Sequence, residues 1–334
     1  MSGGVASVTR TRTEMADVAG AWVRRNVWTL GLIGLLVVFL AVTKLLQPNY
    51  GPAAIQGLAI AILPIAFAAV AQAIVVISGG IDLSVGSMMA LASVTSAVLM
   101  KGQGDLFGVA VVAGVLVLGF VVGAINGGLV VITKVPDIVV TLAMSFVWAG
   151  TALLILNTPG GGAAPWLMAI ISGPLGSPWL PKALVVLAVI VGVLWIPLRR
   201  STLGLTLYAL GSSPLAAFRS GVAVGRTKII AYMLTGFFSA LAGLALTATG
   251  GVGAPVPGSY TLQSVAAIVL GGVSLAGGRG GVLGPIIAVI VLALVRTDLF
   301  FAGVDPNWST AIQGGILIGV VMFGSLVAMR KVRA

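Results

Sequence analysis

Long apolar stretches alternate along the chain with brief polar interruptions. No charged residue occurs within 45–81, 83–100, 106–133, 138–181, 229–278 or 306–329. An apolar stretch of about 18 residues is enough to cross a bilayer as a helix, so several of these runs are long enough for two crossings. Breakers divide them. Asn-Thr-Pro-Gly-Gly-Gly at 157–162 splits one run, and the Gly- and Pro-rich stretch 250–258 splits another. The Gly-Gly-Arg-Gly-Gly sequence at 277–281 opens a further turn. The pattern predicts an all-α polytopic membrane protein with about ten transmembrane helices, near 27–46, 53–77, 83–100, 107–132, 138–156, 182–198, 229–248, 262–276, 281–299 and 309–328. The eighth is short and reads as a possible half-helix. Pro64 inside the second removes one backbone hydrogen bond, so a kink is expected there.

Composition strengthens this picture. Of 334 residues, 59% are hydrophobic and 7% charged. Soluble domains carry about 25% charged residues, so this chain lacks the material for a polar shell. A soluble enzyme is excluded on that ground. The 47 glycines suit helices that approach closely in lipid. There is no Cys and no His, which removes disulfides, thiolate chemistry and the commonest proton relay.

The net charge of +11 raises the question of nucleic acid. Its cations instead cluster beside apolar segments, and no nucleic-acid-binding pattern occurs in the tails. With the N-terminus inside, 14 cations face the cytoplasm: Arg10, Arg12, Arg24, Arg25, Lys134, Arg199, Arg200, Arg219, Arg226, Lys228, Arg279, Arg330, Lys331 and Arg333. Outside remain 4: Lys44, Lys101, Lys182 and Arg296. An even number of crossings with both termini cytoplasmic agrees with that bias. The domain division is a basic tail over 1–26, a transmembrane domain over 27–328 and a short tail over 329–334. The first apolar segment is read as an uncleaved helix, because Ala-Val-Thr-Lys at 41–44 is a poor cleavage site.

Three polar interruptions carry most of the information. The first is 199–228. Gly211 is placed to end one helix, Ser213 to cap the next with Pro214 in its first turn, and Gly221 to end it two turns later. A short amphipathic helix over 214–220 is expected, with an ordinary basic loop as the alternative. The second is Ser-Gly-Gly-Ile-Asp-Leu-Ser-Val-Gly-Ser at 78–87, where Asp82 is the only carboxylate between Asp17 and Asp105. A carboxylate flanked by apolar runs needs a reason. Capping the helix that opens at residue 83 is the first reading, and contact with a translocated solute the second. The third is the small-residue stretch 266–281. Its segment 271–280 faintly resembles 77–86, both being apolar runs that end in Gly-rich turns. No phosphate-binding Gly-x-x-x-x-Gly-Lys-Ser/Thr loop occurs, so ATP hydrolysis by this chain is not expected.

In order and spacing, these segments resemble the permease subunits of bacterial ATP-binding-cassette importers of the ribose, xylose and galactose type, over about residues 25–328. The resemblance rests most on the 78–87 motif, with Gly79, Gly80, Asp82, Ser84 and Gly86. It implies a membrane core of two permease chains, identical or related. It also implies an ATPase docked on the cytoplasmic coupling helices, binding ATP and Mg itself, and a periplasmic or lipid-anchored sugar-binding protein. No cofactor is implied for this chain. The coupling positions carried over are Gly211, Pro214, Ala216, Ala217, Arg219 and Gly221. Where the family often has Gly-x-Asn, this chain has Gly-Ser-Ser-Pro at 211–214.

A neutral sugar calls for a path lined by small and uncharged polar residues. Gln72, Ser78, Asn126, Thr141, Ser145, Gln263, Ser264 and Ser274 are candidates, each equally suited to helix packing. Lys44, Lys101, Lys182 and Arg296 are candidates to meet an acidic binding protein, or to snorkel at the interface. Branched-chain amino acids, nucleosides and sugar-derived signals are the alternative solutes. A proton- or sodium-coupled carrier, or a passive facilitator, is the alternative mechanism.

Overall fold

The computed structural model describes residues 28–305 except Pro257, with isolated helical positions between 308 and 322. The tails 1–26 and 329–334 lie outside the described residues, as does most of the expected last crossing, 309–328. The elements in order are α1 (Trp28–Leu46), α2 (Pro52–Ile77), α3 (Val85–Met100), α4 (Asp105–Thr133), α5 (Asp137–Ile155) and α6 (Pro165–Ala169). There follow β1 (Pro174–Leu175), β2 (Ser177–Pro181), α7 (Lys182–Arg200), α8 (Thr202–Ser212) and α9 (Pro214–Arg219). The last three are α10 (Val224–Gly250), α11 (Tyr260–Leu270) and α12 (Leu283–Phe301).

Seven of these helices are long and apolar enough to cross a membrane: α1, α2, α4, α5, α7, α10 and α12. Of the about ten helices expected, seven have full crossing length among the described residues, and the last expected one lies mostly outside them. At about 1.5 Å per residue, the 16 residues of α3 and 11 of α11 fall short of a hydrocarbon core about 30 Å thick. For α11 the reason is local. The sequence remains apolar to Ala276, but the helix ends at Leu270 because Gly271 and Gly272 form a turn.

The bundle is organised around α2, which is apolar all round and has every residue from Ile62 to Ile77 buried. It runs unbroken through Pro64. α10 packs most extensively on α4, and also on α2 and α3. Glycines allow the α4–α10 approach. A Cβ on Gly123 would lie 2.1 Å from the Tyr232 carbonyl oxygen, and one on Gly236 would lie 2.1 Å from that of Gly119. α4 and α5 keep broad apolar faces outward, including Val117, Val121, Phe146 and Leu154, as lipid or another apolar surface requires.

The two breakers expected at 157–162 and 250–258 pair with each other at one end of the bundle. Gly160 and Gly253 exchange backbone hydrogen bonds of 3.2 and 2.7 Å. The same end holds an antiparallel hairpin, β1–β2, where the sequence reading named no element. The 199–228 segment and the 78–84 and 271–282 turns lie together at the other end, where they make the contacts described next.

Candidate functional site

The short helix α9 forms as the local signals require. Ser213 accepts a hydrogen bond from the Ala216 amide at 3.3 Å, and Pro214 occupies the first turn, where its missing N–H costs nothing. Gly221, at φ +84°, closes the helix, with the Val222 amide donating to the Ala217 carbonyl and the Gly221 amide to that of Phe218. The helix ends at Arg219, one residue short of the expected span. Ala217 turns inward at 4% exposure, whereas Leu215 and Phe218 stand outward at 61% and 68%. Of the residues carried over from the resemblance, Pro214, Ala216, Arg219 and Gly221 are exposed with them. Two bulky apolar side chains three residues apart, on a helix this short, make a compact knob. Leu215 and Phe218 were not singled out from sequence, although their i, i+3 spacing was there to see.

Gly211 corrects a sequence expectation. It does not terminate α8, which continues through Ser212 to a cap at Ser213. Its function is close approach. A Cβ at Gly211 would lie 1.9 Å from the Ile77 carbonyl oxygen and 2.5 Å from the Gly278 amide nitrogen. Those two groups are themselves hydrogen-bonded at 2.9 Å. Gly79 and Gly277 approach the same point, and the Tyr208 hydroxyl donates to the Gly280 carbonyl at 2.7 Å. The last turn of α8 is thus wedged between the turn after α2 and the turn after α11.

Those two turns are built alike, which gives substance to the faint likeness of 77–86 and 271–280. Gly79 (φ +82°) and Gly272 (φ +79°) occupy equivalent left-handed positions. In the first turn the Gly80 amide donates to Val75 and that of Gly79 to Val76. In the second the Val273 amide donates to Ile268 and that of Gly272 to Val269. Each set is a 6→1 bond enclosing a shorter one, the closure that satisfies the last carbonyls of a helix.

Asp82 follows the first turn and is wholly buried. It is not the cap of α3. The helix opens at Val85 with Ser84 as its N-cap residue. Asp82 Oδ1 accepts from the Ser84 amide at 2.8 Å and from the Ser84 hydroxyl at 2.6 Å, so it orders the residue before the helix. Its other carboxylate oxygen has no hydrogen-bond partner among the described residues. Neighbouring helices hold the loop. Asn126 of α4 donates to the Ser84 hydroxyl at 2.7 Å and accepts from the Trp148 indole of α5 at 3.0 Å. Thr141 of α5 accepts from the Leu83 amide at 3.1 Å. Gly86 leaves room for Thr261 of α11, whose hydroxyl accepts from the Gly86 amide at 3.0 Å.

The eight candidate path residues are not brought into one lining. Asn126 and Thr141 are buried pins of the Asp82 loop. Ser78 and Ser264 are buried, with hydroxyls bonded to carbonyls three residues back. Ser274 belongs to the second turn, where its amide donates to the Arg279 carbonyl. Gln72 is fully buried in α2, and its side-chain amide has no partner among the described residues. Ser145 is half-buried on α5. Gln263 lines a cavity of about 410 Å³ between α2, α11 and α12, together with Leu58, Ile62, Tyr260 and Arg296.

The four candidate contact cations each have their own surroundings. Lys44 donates to the carbonyls of Pro48 and Tyr50, Lys182 to that of Ala169, Lys101 follows α3, and Arg296 stands at the cavity.

The body is an apolar multi-helix bundle in which the end of α8, leading into the outward-facing α9, packs on the two similar turns after α2 and α11. The model of the family described as "Branched-chain amino acid transport system / permease component" matches residues 54–321, and the chain belongs to that family. Among curated relatives, the autoinducer 2 import system permease protein LsrD of Escherichia coli strain K12 is 33% identical over 263 residues. The match covers 77% of this chain and 79% of the relative, and LsrD of Shigella flexneri matches to the same extent. No solved structure matches the chain. The protein is accordingly a multi-pass inner-membrane permease subunit of an ATP-binding-cassette import system.

Proposed function

We propose that the chain carries a small neutral solute, foremost a monosaccharide, into the cytoplasm as one of two permease chains, identical or related. A separate ATPase binds ATP and Mg and docks on α9, and a periplasmic or lipid-anchored binding protein delivers the solute. Both termini are cytoplasmic and ten segments enter the membrane, α3 and α11 being partial crossings. The 14 to 4 distribution of cations supports this orientation. The observation that carries the reading is α9, which presents Leu215 and Phe218 outward, while Gly211 and Ser212 at the end of α8, directly before it, touch the turns after α2 and α11. A shift of α9 would therefore reach α3 and α11 together, as switching between outward- and inward-facing states demands.

Ser145 and Gln263 are the path candidates best supported, because neither is locked in a buried packing role. Lys44, Lys101, Lys182 and Arg296 remain the proposed cations for the binding protein. A second reading of the solute, a sugar-derived signal, draws on the likeness to permeases of autoinducer 2 import systems.

The test is to purify the tagged chain from its native membrane in mild detergent and identify what accompanies it by mass spectrometry. Recovery of an ATPase with phosphate-binding loops supports the importer, and any second permease distinguishes a mixed core from a paired one. A chain that emerges alone in every detergent removes the role given to α9.

A further inference from the structure

The coupling helix has two flanks. α8 joins it to the glycine junction. On the other side α10 begins five residues after Arg219, and its first three turns carry Lys228 and Tyr232, four apart on one face. Lys228 Nζ lies 2.7 Å from Asp137 Oδ1, an ion pair that ties α10 to α5. The Tyr232 hydroxyl lies 3.0 Å from Asp137 Oδ2 and 3.3 Å from the Ile81 carbonyl oxygen, so its single proton is shared between them. Thr141, one turn along α5 from Asp137, donates to the same Ile81 carbonyl at 3.3 Å and accepts from the Leu83 amide. A Cβ on Gly80 would lie 2.9 Å from Asp137 Oδ2 and 3.1 Å from the Tyr232 hydroxyl. The backbone of the loop therefore passes directly beneath the pair.

We propose that Lys228, Asp137 and Tyr232 form a positioning clamp that transmits movement of α9 to the Asp82 loop, independently of the glycine junction. This rests on the import reading above. The chain then grips 78–83 at two points: through α8 at Ile77 and Gly79, and through α10 and α5 at Ile81. A single contact would let the loop pivot when α9 moves. Two contacts carry it as a unit with the start of α3. Tyr232 is fully buried, and its ring packs in the core beside α4, so its hydroxyl has a fixed position. From sequence Lys228 was read only as a cytoplasmic cation, and its pairing was not legible because Asp137 and Lys228 lie 91 residues apart.

The chain has no cysteine, so one introduced thiol reports on the loop alone. Ser87→Cys places it on the first turn of α3. The full complex, in native membrane vesicles, is labelled with N-ethylmaleimide with and without ATP, while ATPase activity and the amount of co-purified ATPase are followed in the same samples. The expected result is an ATP-dependent change in labelling rate that Tyr232→Phe or Lys228→Gln reduces by about fivefold or more, within the usual range of coupling between distant sites. ATP hydrolysis and co-purification persist. Combining the two substitutions adds little, because they break one network.

An ATP-dependent change that survives Tyr232→Phe undiminished overturns the clamp. So does a loop whose labelling ignores ATP in the chain with the clamp intact. A loss of co-purified ATPase in step with lost labelling response assigns the three residues to stability alone, and equally overturns it. Failure of the import reading looks different, since no ATPase is then recovered even with the clamp intact.

Discussion

Replacing Gly211 with Ala sets two physical effects of opposite sign against each other. Gly211 lies inside α8, where Ala is favoured by about 1 kcal/mol on helix propensity. The added methyl would stand 1.9 Å from the Ile77 oxygen and 2.5 Å from the Gly278 nitrogen, across the hydrogen bond that joins them. Both are backbone atoms, so neither can rotate aside. Restoring ordinary contact at 3.4 Å needs an opening of about 1.5 Å in a region packed to crystal-like density. Overpacking of that kind costs about 1–3 kcal/mol. Separating a buried N–H and C=O without new partners adds about 1–3 kcal/mol. The net expectation is a loss of about 1–5 kcal/mol, seen as a lower melting temperature of the purified chain in detergent. Gly192→Ala in α7 is the matched control, because nothing lies within 4 Å of its Cβ position, and it should be neutral or stabilising. A Gly211→Ala chain that melts at or above the unsubstituted chain refutes the wedge at the junction.

Three further outcomes are expected. Leu215→Asp or Phe218→Asp should leave folded yield unchanged, since both side chains are exposed, yet reduce co-purified ATPase by more than about tenfold, as loss of an interface anchor does. Ala217→Glu should instead lower the yield of the chain itself, because Ala217 is the buried seat of α9. Asp82→Ala removes the acceptor of two bonds from Ser84 and should cost about 1–3 kcal/mol in thermal unfolding, whereas Asp82→Asn retains that acceptor and should melt close to the unsubstituted chain. Equal melting of all three with lost uptake would move Asp82 from loop ordering to the solute path.

The caps of α9 were legible because they operate within a few residues. Ser213, Pro214 and Gly221 each act on neighbours on the same turn, so the residues alone specify the start and stop. Gly211 was misread because glycine has two uses, a left-handed turn and an absent side chain, and sequence does not distinguish them. Asp82 was recognised as unusual, and its local partner Ser84 was within view. Its other supports, Asn126, Thr141 and Tyr232, come from α4, α5 and α10. Of the polar candidates, Asn126 and Thr141 were noticed for their polarity, but their partners were not.

Apolarity and chain breaks are local, so the amino acids alone established a polytopic membrane protein, the approximate bounds of its helices and the short helix between α8 and α10. How those helices meet was settled only in three dimensions. A helix broken inside a bundle leaves amides and carbonyls that lipid cannot satisfy, and they must be closed by the turn itself or by other segments. Here the turns after α2 and α11 close on themselves in the same way, then lock to each other through Gly278 and Ile77 over the bare backbone of Gly211. Partners about 200 residues apart are chosen by the packing of the whole bundle, and no periodicity along the chain encodes that choice.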